Sequence, residues 1–169
     1  MKNKGEYVTG EAYLLFKGAQ NDIINIEENI TGKIYPLKEK SHMICYHAAQ
    51  AAEKMLKGFI RYKDKTINIK KLHDLDYLYD IALNIDSNFI NMKENCGRLN
   101  NYTSWLRYEP EFDIEKHEVT DVLKALKSIY EFSIIRETRK KLDEENKFSI
   151  LSENCMGNIV NIATGKEKE

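Results

Sequence analysis

The stretch from Ile44 to Arg61 carries four alanines, Ala48, Ala49, Ala51 and Ala52, in a pattern that helical spacing sorts into two faces. Ile44, Ala48, Ala51, Met55 and Phe59, flanked by Cys45, Ala49, Ala52, Leu56 and Ile60, form a wide apolar face. His47, Gln50, Lys54, Lys57 and Arg61 recur at steps of three and four, which aligns them as one polar stripe. The alanines let a neighbouring helix approach closely. An imidazole, an amide and three cations in one line suit contact with a phosphate, and equally suit a solvated helix face. Both readings stand at this point.

Breakers are scarce elsewhere. Only Pro36 and Pro110 interrupt the 169 residues, the eight glycines are scattered, and no alternating β pattern with regular turns is present. Long helices follow. The spacing predicts a first helix over 9–29 with Tyr13, Phe16, Ile23, Ile24 and Ile26 as its apolar stripe and Gly32 as its C-terminal cap. A second runs over 38–62, with a polar, exposed exit at Arg61–Thr66, and a third from around His73 to 84 with Asp74 and Asp76 in its first turn. A fourth covers 87–108 through Phe89, Met92, Cys96, Leu99 and Tyr102 or Thr103, and ends before Pro110. A fifth covers 115–144 through Val119, Val122, Leu126 and Ile129, with the mixed-sign run Arg136–Glu145 read as its solvated end. The expected fold is all-α, an antiparallel up-and-down bundle of four or five helices over 1–145, with 146–169 as a C-terminal extension.

A net charge of −1 gives no global pull toward nucleic acid or an anionic membrane, so any nucleic-acid contact must be local. Cys45, Cys96 and Cys155 are widely spaced and odd in number, which suits a reducing, cytoplasmic setting and reads as buried small hydrophobes rather than a disulfide framework. No apolar run is long enough to cross a bilayer. Metal ligands at recognisable spacing, a glycine-rich phosphate loop and a Ser-His-Asp set are all missing, so neither a metal nor a cofactor is implied.

His47-x-x-Gln50-x-x-x-Lys54 in the alanine-rich second helix, His73-Asp74-Leu75 downstream, and Arg107-Tyr108-Glu109-Pro110 before the last long helix together resemble the HEPN domain family, in that order and over roughly residues 9–142. The resemblance implies a helical bundle that often forms homodimers. It also implies company, since many bacterial relatives work beside a minimal nucleotidyltransferase in toxin–antitoxin-like systems. Ribonuclease members carry an arginine followed four to six residues later by a histidine. This chain has no such pair, because Arg61 precedes His73 by twelve positions and Arg107 precedes His117 by ten.

The candidate ligand-binding residues are therefore His47, Gln50, Lys54, His73, Arg98, Tyr102, Arg107 and Tyr108. Lys54 would neutralise a phosphate, Gln50 would bond a base edge, and His47 would donate to an oxygen. His73 either caps the third helix locally or faces Lys54 across the bundle. Tyr102, Trp105, Arg107 and Tyr108 either stack a base or anchor the loop at Pro110. Arg98 and Asn101, one turn apart, extend the same polar surface. The leading expectation is a non-catalytic module that binds a nucleotide or nucleic-acid fragment. The alternatives are a metal-independent ribonuclease built from His47, His73 or His117 with Arg98 or Arg107, and a dimerisation scaffold.

Overall fold

The computed structural model describes residues 10–31, 37–108, 114–151, 156 and 159–164. Among these, seven α-helices and one 3₁₀ segment account for the regular structure, and no strand occurs. They are α1 (Glu11–Thr31), α2 (Leu37–Lys63), α3 (Leu75–Ile85), the 3₁₀ segment (Ser87–Met92), α4 (Lys93–Tyr108), α5 (Lys116–Glu131), α6 (Ser133–Asn146) and α7 (Ile159–Thr164). The all-α bundle is as the sequence predicts. None of these helices is long and apolar enough to cross a membrane. The Gly32 cap and most of the Pro110 loop lie outside the described residues.

The alanine-rich helix α2 is the centre of the molecule and packs against α1, α3, α4, α5 and α6. Ile44, Cys45, the four alanines, Leu56, Phe59 and Ile60 are all fully enclosed. The α1–α2 interface is the most extensive, and two glycines set its closeness. A Cβ on Gly58 would lie 2.7 Å from the Phe16 ring, and one on Gly18 would lie 3.2 Å from Lys54 Cδ. Both helices thus leave out a side chain where the other needs room. Of the α1 stripe, Tyr13, Phe16, Ile23 and Ile26 are buried, whereas Ile24 points outward.

Helix α3 starts at an N-cap, Asp74, whose carboxylate accepts the Tyr77 N–H at 3.0 Å. The cap is therefore Asp74 and not His73. The predicted fourth helix opens instead as the 3₁₀ segment, because Asp86 caps it by accepting from the Asn88 N–H at 3.0 Å. That turn sets Phe89 between Phe59 (ring centroids 4.7 Å apart) and Phe132 (5.0 Å, edge-on).

The predicted fifth helix is two. Phe132 leaves the helical region (φ −55°, ψ 127°), ending α5 and opening α6. The break lets its ring reach Phe89, and it strands carbonyls at the end of α5. Arg139 answers that cost: one guanidinium nitrogen donates to the Tyr130 carbonyl at 2.7 Å while the group stacks 3.6 Å over the Tyr130 ring. Arg139 and Asp143 are buried, so the run Arg136–Glu145 is not wholly a solvated end. Beyond it, Leu151, Met156 and Ile159 join the same core. Asp143 Oδ1 accepts the Leu151 N–H at 3.0 Å, and Gln20 Nε2 donates to the Ile150 carbonyl at 2.6 Å.

Candidate functional site

The polar stripe of α2 is neither a solvated face nor an open row of cations. Its first edge turns toward α1. Asp22, buried between Ala19 and Ile23, holds His47 Nδ1 with one carboxylate oxygen at 2.9 Å and Lys54 Nζ with the other at 2.5 Å. Further along, Arg61 is buried rather than exposed; its Nε lies 3.0 Å from Glu11, and another guanidinium nitrogen donates to the Lys65 carbonyl at 2.6 Å. The other edge turns toward the entry to α3. There Glu53, 4% exposed, accepts from Lys57 Nζ at 2.7 Å, and His73 Nδ1 lies 3.0 Å from the same oxygen. The second Glu53 oxygen is enclosed and makes no hydrogen bond among the described residues. Gln50 is half-buried between the two edges and has no hydrogen bond among the described residues.

His73 does reach α2, but at Glu53 and not at Lys54. Its ring stays largely in solvent. An exposed imidazole on a buried carboxylate is a short path between solvent and an interior charge. The three cations Lys54, Lys57 and Arg61 are all met by carboxylates of this chain, so a phosphate arriving there has to compete with Asp22, Glu53 and Glu11.

Arg98 and Tyr102 lie elsewhere, in a cleft of about 480 Å³ between α4 and α5. Asn101 shares it, as the sequence spacing predicts, and α5 adds His117, Glu118 and Asp121. Arg98 reaches Glu94 at 3.4 Å and Asp121 at 3.3 Å. Glu118 Oε2 accepts the Glu115 N–H at 2.8 Å, which secures the start of α5. His117 is exposed and makes no hydrogen bond or ion pair among the described residues. Tyr102 forms the floor. Burial, helped by Cys45, Glu118 and Asp121 and opposed by Arg98, pushes its hydroxyl up to about 12, so it stays protonated at neutral pH.

The eight predicted residues thus separate: His47 and Lys54 with Gln50 beside them, His73 on Glu53, and Arg98 with Tyr102. The side chains of Arg107, Tyr108 and Trp105 lie outside the described residues. Sequence reasoning missed Asp22, whose signal was an acidic residue inside the apolar stripe of α1. It also missed Glu118 and Asp121, which sit immediately before Val119 and Val122 and carry no motif.

A model of the HEPN domain matches residues 12–142, from the first turns of α1 into α6. The chain belongs to the HEPN domain family. No curated protein and no solved structure matches it. The matched span contains α2 through α5 whole, so the seam and the cleft both fall inside the HEPN domain.

Proposed function

We propose that this HEPN-domain protein is a binding module without chemistry of its own, whose α4–α5 cleft takes the base and sugar of a nucleotide or RNA fragment. The lining carries the reading. Arg98, Asn101 and His117 offer donors, Glu118 and Asp121 offer acceptors, and about 480 Å³ is within the size range of small-molecule sites. Carboxylates suit ribose hydroxyls and exocyclic amines, and their excess disfavours a bare polyphosphate. The resemblance adds a homodimer and a nucleotidyltransferase partner in a toxin–antitoxin-like pair, with the missing Arg-x4–6-His pair as the reason for a non-catalytic role.

The test is a thermal-melt panel of AMP, GMP, ATP, GTP, NAD and short RNA. A ligand at a hundred times its Kd adds about 2.7 kcal/mol to stability. A shift lost in Arg98→Ala and Asn101→Ala but kept in Lys54→Ala supports the cleft. A shift lost only in Lys54→Ala moves the site to the α1–α2 seam, and no shift with any ligand rejects the reading.

One observation favours a second reading, metal-independent RNA cleavage: Arg98 and His117 line the same cleft although they sit on different helices. His117 would move the proton and Arg98 would face the developing charge. RNA left intact by concentrated, purified protein ends that reading; cleavage lost in His117→Ala supports it.

A further inference from the structure

Tyr102, on the floor of the α4–α5 cleft, is only 8% exposed, yet its hydroxyl is not sealed off. It lies within the field of Arg98, Glu118 and Asp121 and has no hydrogen bond among the described residues. Buried hydroxyls are nearly always paired, so one left open at the bottom of a cleft marks a place where a ligand supplies the partner.

Beside it stand a cation and a carboxylate. Arg98 Nη1 lies 3.3 Å from Asp121 Oδ2, which leaves the other Asp121 oxygen and further guanidinium hydrogens for a ligand. Both side chains are partly exposed, so a ligand reaches them. Glu118 differs, because one of its oxygens is committed to the Glu115 N–H. Arg98 and Asp121 together therefore offer one donor next to two acceptors. Among the four bases guanine alone carries the complement on its Watson–Crick edge: the O6 acceptor beside the N1–H and N2–H donors. Adenine and cytosine set a ring-nitrogen acceptor next to their amine, where it faces a carboxylate oxygen. Uracil has a single N–H between two carbonyls.

We propose that the α4–α5 cleft selects a guanine base, with Asp121 accepting from N1–H and N2–H and Arg98 donating to O6. The Tyr102 hydroxyl donates to N7, the neighbouring acceptor that every purine shares. This rests on the cleft being the nucleotide site, and it adds which base the site takes. Guanine in a free nucleotide and guanine in RNA present the same edge, so Asp121 and Arg98 read either.

The experiment is isothermal titration calorimetry of the full chain with the monophosphates of guanosine, inosine, adenosine, cytidine and uridine. The guanosine form is expected to bind at least about tenfold more tightly than the adenosine form, with the inosine form, which lacks only the 2-amino group, in between. In Asp121→Asn one acceptor becomes a donor. That variant is expected to lose guanosine monophosphate and gain xanthosine monophosphate, which has a carbonyl where guanine has its amine; a merely structural role for Asp121 produces no such exchange. Tyr102→Phe is expected to weaken the guanosine and inosine forms alike. The RNA pentamers UUGUU and UUAUU are titrated beside them: UUGUU bound more tightly than guanosine monophosphate places the base in RNA, and the reverse order in a free nucleotide. Guanosine and adenosine forms bound equally, with affinity lost in Asn101→Ala, keep the nucleotide site and overturn the guanine selection. No binding by any nucleotide or RNA overturns both.

Discussion

Along α2 each of three cations meets a carboxylate: Lys54 on Asp22 and Arg61 on Glu11 across the α1–α2 seam, and Lys57 on Glu53 along the edge toward the entry to α3. Around the α4–α5 cleft Arg98 is stretched between Glu94 and Asp121 at 3.4 and 3.3 Å, and His117 stands open. The same residue types serve opposite ends. On α2 the charges gather on the buried carboxylates Asp22 and Glu53, which fix how the helix sits against α1 and the entry to α3. On α4 and α5 they remain in water, where a ligand can take them over at little cost. Which residues form a motif and which remain available to a ligand are therefore separate questions.

The sharpest way to break that contrast is Glu53→Ala. It leaves the buried Lys57 ammonium uncompensated, and an expected loss of about 3–5 kcal/mol is read by urea denaturation. A loss under about 1 kcal/mol would mean that water already reaches the Glu53–Lys57 pair. Gly58→Ala tests the α1–α2 seam through shape. Its new methyl meets the Phe16 ring at 2.7 Å, and overpacking of this kind costs about 1–3 kcal/mol.

The thiols compare the interior beneath the two regions. Burial pushes Cys45 on α2 and Cys96 on α4 both up to about 12 from an ordinary 9.0. The unfolded thiols ionise first, so their contribution is intact below pH 9 and declines between pH 9 and about 12. The limiting slope is about 1.4 kcal/mol per pH unit for each thiol. Urea curves at pH 8 and pH 10 measure this, and a flat profile would show that water reaches the thiols. The smallest effect belongs to the cleft. Arg98→Ala and His117→Ala are each expected to stay within about 0.5 kcal/mol of wild type in the same assay. A larger loss would make the cleft a second structural seam.

The bundle was legible because the α2 pattern is strong and only two prolines interrupt the chain. The break at Phe132 was not, since Glu131-Phe132-Ser133 holds neither glycine nor proline and the apolar period runs straight through it. It exists because of Phe89 and Arg139, which are distant in sequence or look like solvated charge. The site was only half legible for a similar reason. A helical stripe shows which side chains share a line, but not what faces them, and the partner Asp22 lies on another helix. Arg98 and Asn101 were readable as neighbours, while the α5 half of their cleft depends on how two helices pack.

Leu151, Met156 and Ile159 belong to the core, yet all three lie beyond residue 142, where the HEPN match ends. During synthesis α1 and α2 emerge early and pair locally, but the groove that receives Leu151 stays open until that residue has left the ribosome. Phe16, Ile23 and Met55 line that groove together with Tyr130 and Arg139. For that interval the nascent bundle carries an uncovered apolar slot, and its closure is a late event set by translation.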